Sequence, residues 1–461
     1  MAGMKERPIM EERRIAVVTT GGTITMTGPP YGPGETGLPL LRKMKRQSRV
    51  REPPKGALAH HGEPLQPEHV KIQTHAVVNL DSVDLSVKEL NKLGEKLVEL
   101  SNDADVHAIV VTGGTDKLHR FHTRMAHHLH NLNKPVVFTG AQIPHGRKKS
   151  DARRNYEQGI RVAYDLSNAG LNQVVLCFAK RPPIQTETPS GKLKRPPFVG
   201  EVYHALNSLK AHADRPDAFH HTYKRILAEV TRRRGTVLTE LGQRVLKLEK
   251  QRIAQETTFT PIQEDLLQQL NLVSETISPK TIKISSRARA LVVLASGKGN
   301  LRNKILRRLA NRAGSRPIVI ATEAGAHVDL TSYVPGVNAL KRGMLPSGGL
   351  IPVTAEIRAE YLAHKMPEIE QYATNYKPRN LTVQEFKQKL FAALYLSGAR
   401  FIGRDTKKKH EAELGIKIAK DDVVINASIH EALVKAHAAI KEFENKRKPP
   451  SKQLSLTFDK T

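Results

Sequence analysis

Tryptophan is missing from these 461 residues, the aromatic residues together make up 5%, and there is one cysteine. That cysteine, Cys177, lies inside the apolar run VVLCF, so neither a disulfide framework nor a cysteine metal site is possible. Long hydrophobic runs are also missing: no stretch approaches the roughly 18 apolar residues that span a bilayer. The first residues, MAGMKERPIMEERR, have no signal-like apolar core. These absences set the expectation of a cytoplasmic protein with no membrane partner. Acidic residues are scarce too, 45 Asp and Glu against 74 Lys and Arg, giving a net charge of +29 and a pI near 10.1. The excess favours a polyanionic partner, although a generally basic proteome would produce it without one. Basic runs (RKMKRQSR, HGRKK, KLKR, TRRR, KKKH) are spread along the chain with few aromatics between them, so any nucleic-acid binding is expected to be electrostatic and nonspecific.

What is present is a repeated strand ending. IAVVTTGGTI (15–24) and HAIVVTGGTD (107–116) are β-branched apolar runs that each finish in Thr-Gly-Gly-Thr. Short continuous apolar runs read as buried parallel strands, paired glycines allow a sharp turn, and ligands gather at the carboxyl ends of such strands. The two turns are therefore expected to face one crevice. Strand, turn and helix recur along the chain: KIQTHAVVNL, a helix starting at Ser82 or Asp84, HAIVV, a helix near 117–132, KPVVF, a helix opening near Ser150 and Asp151, then QVVLCF. The prolines of KRPPIQTETPSGKLKRPP predict irregular structure there. A second α/β unit begins near 251, with ARALVVLAS and RPIVIAT as its strands. This alternation predicts an α/β fold with four parts: a larger N-terminal sheet domain over 1–204, a basic helical insertion or linker over 205–250, a smaller parallel-sheet domain over 251–366, and a helical extension with a polar tail over 367–461.

Several motifs carry no chemistry. GKGNLR (297–302) has Arg302 where a dinucleotide fingerprint needs its third glycine. The histidines of HRFHTRMAHHLH (119–130) read as a solvated helix face, because no carboxylate completes a metal site. Neither a metal nor an organic cofactor is expected.

Threonine needs a partner that takes its proton and donors that hold an oxyanion, and the Thr23 and Thr115 turns offer both, with Asp116 available for an ammonium group. The segments IAVVTTGGTI, VVNLDSVD, IVVTGGTD, KPVVFTGAQIP and SDARRNYEQGIRVA occur in the order and at the distances of the signature segments of the bacterial-type L-asparaginase/glutaminase family, which this chain resembles. LVVLASGKGNLRNKILRRLA and GMLPSGGLIPVTAEIRAEYLAHKM are similar to that family's second domain. The resemblance covers roughly 13–366 and implies the two-domain asparaginase/glutaminase fold. It further implies hydrolysis of asparagine or a related small amide to the acid and ammonia, without a cofactor, by a homodimer or homotetramer. By the same resemblance Thr23 matches the nucleophile, Tyr31 the tyrosine of a closing loop, and Ser82 the serine that holds the substrate carboxylate. Thr115 and Asp116 match the second threonine and the ammonium-binding aspartate. Gly22 and Gly114 belong to the same two turns and count as substrate-binding.

The chain departs from that pattern in three places. Gly113-Gly114-Thr115-Asp116-Lys117 stands for the usual His-Gly-Thr-Asp-Thr, and Val83 replaces a glutamine. The family's Thr-Lys pair after the fifth strand best matches Thr186-Glu187, an acid in place of the base; Lys117, Lys180, Lys192 and Lys194 are the candidate substitutes. Two other readings therefore stand beside hydrolysis. One is a catalytically silent asparaginase-like scaffold that binds RNA, ribonucleoprotein or another polyanion. The other is the amidase component of a tRNA-dependent amidotransferase, against which stands the lack of an extra domain before Ile15.

Overall fold

The computed structural model describes residues 13–22, 24, 70–145, 147, 150–180, 186–187, 193–194, 199–205, 208–213, 215–221, 226–231, 235–263, 265–272, 282–296, 298–322, 328–397, 399, 404–422 and 424–447. The chain forms two compact units, Met1–Glu264 and Asp265–Thr461.

In the first unit the order is β1 (Arg13–Thr19), β2 (Val70–Ala76), α1 (Val87–Asn102), β3 (Ala108–Gly113), α2 (Leu118–His128), β4 (Leu129–His130), β5 (Val136–Gly140), α3 (Ala152–Ala169) and β6 (Val174–Ala179). There follow β7 (Thr186–Glu187), β8 (Leu193–Lys194), β9 (Val199–His204), β10 (Ser208–Lys210), β11 (Phe219–His221), β12 (Ile226–Thr231), β13 (Gly235–Leu238), α4 (Glu240–Glu249) and β14 (Thr258–Phe259). The main sheet runs β13-β12-β9-β6-β5-β3-β1-β2. Its β2-β1-β3-β5-β6 half is parallel, and β9, β12 and β13 add on antiparallel. The central strands β3, β5 and β6 are buried along their whole length, as continuous Val, Ile, Phe and Ala runs require when both faces are covered. Helix α3 holds a buried ion pair within itself, and the acid of that pair ties the helix to the edge strand β13. Arg161 Nε meets Asp165 at 2.7 Å, and Asp165 also accepts the Thr236 N–H of β13.

Three local expectations change. The N-cap of α1 is Ser86, not Ser82 or Asp84; Ser86 and Glu89 form a reciprocal capping box, which places Ser82 four residues before that cap. Residues 205–250 are not mainly helical. Four strands lie there, β10 to β13, and α4 is the one helix among the described residues. Antiparallel strands near a sheet edge are half-solvated, so ILAEVT carries charged neighbours and lacks the pure apolar look of the buried strands. The proline-rich stretch after β6 contains a two-residue antiparallel pairing of β7 with β8.

The second unit holds β15 (Leu267–Asn271), β16 (Ala290–Ala295), α5 (Asn303–Ala313), β17 (Ile318–Thr322), α6 (Val334–Leu340) and β18 (Leu345–Pro346). Its helices continue with α7 (Pro352–His364), α8 (Met366–Tyr376), α9 (Val383–Leu396), α10 (Arg404–Leu414) and α11 (Ile429–Arg447). The four strands are parallel in the order β15-β16-β17-β18. The described residues after 366 are mainly helical, the polar tail from 448 lies outside the described residues, and Phe386, Leu390, Phe391 and Tyr395 of α9 are fully buried. Arg358 of α7, also fully buried, donates to the Tyr395 and Ser397 carbonyls and pairs with Asp422. The helices after 366 are thus built into the second unit. Among the described residues no helix is long and apolar enough to cross a membrane.

Candidate active site

The two Thr-Gly-Gly-Thr turns meet. Strands β1 and β3 are parallel neighbours, and just past their ends Thr20 N–H donates to the Thr112 carbonyl at 2.9 Å. Gly21 and Gly22 have φ of +92° and +83°, the left-handed region that glycine enters without strain. A Cβ on Gly22 would lie 2.2 Å from the Gly114 nitrogen, so the turns touch backbone to backbone. The loop after β2 closes on the same point. Leu80 N–H donates to the Thr20 carbonyl at 3.2 Å, and a Cβ on Gly114 would sit 2.8 Å from Ser82 Oγ. Four of the sequence-derived positions (Gly22, Ser82, Gly114 and Thr115) therefore converge through glycines that leave no room for side chains. Thr23 and Tyr31 lie outside the described residues.

Thr115 is buried, whereas the Asp116 side chain is largely exposed. Between them reaches a lysine that is not among the candidates from sequence. Lys210, its side chain 12% exposed, donates from Nζ to Thr115 Oγ1 at 2.9 Å and pairs with Asp116 at 2.5 Å. The candidates themselves are engaged elsewhere or not described. Lys117 donates to the Val83 carbonyl, Lys180 pairs with Glu201 and Glu229, and the side chains of Lys192 and Lys194 lie outside the described residues. Lys210 is hard to find in the sequence because the β7–β8 hairpin and β9 separate it from β6. Counting forward from the fifth parallel strand stops at Thr186-Glu187; the available signal is the short SLK strand, in a stretch whose composition resembles helix.

Lys210 closes β10, which pairs antiparallel with β11, Lys210 opposite Phe219. Helix α2, which follows Asp116, is fastened to this segment from beneath. Ser208 Oγ and His122 Nε2 lie 3.2 Å apart, and Thr123 Oγ1 donates to the Ala205 carbonyl at 3.1 Å. The expectation of a solvated histidine face on α2 is wrong: His119, His122, His127, His128 and His130 are all buried. Burial holds the His122 imidazole down at about 3. It holds His119 at about 4, helped by the positive charges of Arg120 and Lys210. His119 and His122 are thus neutral imidazoles at neutral pH, His122 set against Ser208 of the strand that carries Lys210.

The TGAQIP turn after β5 is fixed by Asp151. This buried carboxylate, whose pKa burial raises, accepts N–H bonds from Gln142 and Ile143 and a side-chain bond from Asn155. The result is a set of strand ends carrying hydroxyls, backbone N–H groups, one carboxylate and one ammonium, which suits polar chemistry on a small zwitterion.

Residues 14–242 match the family model described as Asparaginase, N-terminal, a span that includes Lys210 and β10 to β13. The L-asparaginase of Thermococcus kodakarensis is 27% identical over 288 residues, 61% of this chain and 76% of that protein. A glutamyl-tRNA(Gln) amidotransferase subunit of Thermoplasma acidophilum is 23% identical over 359 residues, 77% of this chain and 76% of that protein. Among solved structures, the thermostable L-asparaginase from Thermococcus kodakarensis superposes with a TM-score of 0.55 at 20% identity, covering 89% of this chain and 99% of its own. The chain belongs to the asparaginase family.

Proposed function

We propose that the protein hydrolyses the side-chain amide of asparagine or a related small amide. The observation that carries this reading is the contact of Lys210 Nζ with Thr115 Oγ1 and the Asp116 carboxylate. It supplies the base whose apparent loss favours a silent scaffold. In this reading Thr23 Oγ attacks the amide carbon, its proton passes to the leaving nitrogen, and ammonia departs from an acyl-enzyme. Water then opens the ester and returns a proton to Thr23. Thr115 orients that water, taking its proton as it passes its own hydroxyl proton to the Lys210 amine, and the same relay run backwards delivers a proton to the departing Thr23 oxygen. Ser82 takes the substrate carboxylate and Asp116 its ammonium group, Gly22 and Gly114 lend backbone donors, and Tyr31 closes over the site. Family membership supports the amidohydrolase class. The glutamyl-tRNA(Gln) amidotransferase relatives favour a second reading in which the ammonia serves an amidotransferase.

The test is ammonia release from asparagine and from glutamine by the purified protein, beside Lys210→Met, Thr115→Val and Thr23→Val. Each variant is expected to lose about 100-fold or more in kcat, the scale of removing a proton-transfer partner. Activity of Lys210→Met within a few-fold of the unaltered protein would remove Lys210 from the reaction. No release by the unaltered protein alone, restored by an amidotransferase partner, would favour the second reading.

A further inference from the structure

The second unit carries a helix that breaks the ordinary charge rules. From Lys298 to Thr322 there are seven Lys and Arg residues and no Asp or Glu. In α5 the apolar stripe of Ile305, Leu306, Leu309 and Ala313 is wholly buried in that unit's core. Lys304, Arg307 and Arg312 are exposed, and Arg308 is half-buried.

Two features of this arrangement oppose helix formation. Lys304, Arg308 and Arg312 follow one another at i,i+4, so like charges face each other along one side. Arg302 and Lys304 stand at the N-terminal end, where the backbone dipole favours anions, and no acidic residue occupies the first turn. Elsewhere the helices place acids and bases at matching spacings, as in Glu431–Lys435 and Glu442–Lys446 of α11. Among the described residues no ion pair engages Lys304, Arg307, Arg308, Arg312, Lys341 or Arg342. Asp329, the described acid that follows β17, is committed to Thr331 and Ser332 and faces His410 at 3.9 Å.

We propose that the solvent face of α5, extended by Lys341 and Arg342 after α6, is a docking surface for single-stranded RNA. Charge complementarity carries the assignment. Successive i,i+4 cations are about 6 Å apart along the axis, a spacing that tracks successive phosphates of an extended strand. The neighbouring α6 touches the start of α5, with Asn338 Nδ2 3.4 Å from Asn303 Oδ1, and is preceded by its N-cap residue Tyr333, a half-exposed ring on which an unstacked base can lie. A lipid surface fits less well, because α5 has spent its apolar side chains on the core and presents only Arg, Lys and Asn outward. Binding here is sequence-tolerant and strongly salt-dependent. It is independent of amide hydrolysis.

The experiment uses the full chain and a fluorescein-labelled, unstructured 20-nucleotide RNA, followed by anisotropy across a salt series. The α5 variant is Lys304→Gln/Arg307→Gln/Lys341→Gln, three exposed positions whose change should leave the fold intact. The control removes the same charge from α11: Lys435→Gln/Lys441→Gln/Lys446→Gln. The expected result is binding by the unaltered protein, affinity about 10-fold weaker for the α5 variant at fixed salt, and a log–log salt slope shallower by about 2, with the control near the unaltered protein. Equal weakening by both variants would reduce the effect to net charge and overturn the proposal. So would no RNA binding at low salt, or preferential binding of duplex DNA or of phosphatidylserine vesicles.

Discussion

Lys210 shows what a single residue needs in order to act. Its ammonium is held between a buried hydroxyl and an exposed carboxylate, at the end of a strand whose other end is fixed by His122 and Ser208. The buried histidines have a consequence for stability. His122 stays neutral in the folded protein down to about pH 3 and His119 to about 4, whereas an unfolded imidazole takes its proton near 6.5. The unfolded chain therefore binds more protons over that window, and stability must fall as pH drops below 6.5. At pH 5 the loss attributable to His122 is about 2 kcal/mol. Urea midpoints at pH 7.5 and pH 5 should show this drop, and His122→Gln, which keeps a polar partner for Ser208, should show a smaller one. Equal drops would mean that His122 does not titrate as its burial demands.

At the scale of elements, the strands and helices are legible in the sequence where burial is complete. VVLCF, HAIVV and KPVVF are strands because unbroken β-branched runs have nowhere to go but a sheet covered on both faces. The strands of residues 205–238 are not legible, because edge strands tolerate charges such as Glu229 and resemble helices by composition alone. The glycine turns are legible as turns, but their contact is not: nothing local tells Gly22 that it lies against Gly114. The helices after 366 look like an appendage in the sequence, although Arg358 fastens them to α7 and its pairing with Asp422 is withdrawn from solvent. Arg358→Met would strand the Asp422 carboxylate and two carbonyls, and is expected to cost about 3–5 kcal/mol. The urea midpoint of the second unit's transition should fall with an unchanged slope; a cost below about 1 kcal/mol would show that this link is not what holds the segment.

At the scale of the whole molecule, two compact units with separate sheets and separate cores make up the chain. Separate cores imply separate cooperativity, so scanning calorimetry should require two transitions, with the calorimetric enthalpy exceeding the van't Hoff value. A single transition with equal enthalpies would show that the units melt as one. Arg358→Met should lower only the transition of the second unit.

By itself the sequence determined the α/β class, the two Thr-Gly-Gly-Thr turns, the run of segments that marks the asparaginase family and the positive charge, because each is written in neighbouring residues or in composition. Only the tertiary structure decided that α2 buries its histidines, that Gly22 lies against Gly114, and that Lys210 reaches Thr115. Those three facts depend on which surfaces meet across long stretches of chain, as between Thr115 and Lys210, 95 residues apart, and local periodicity carries no record of such distances.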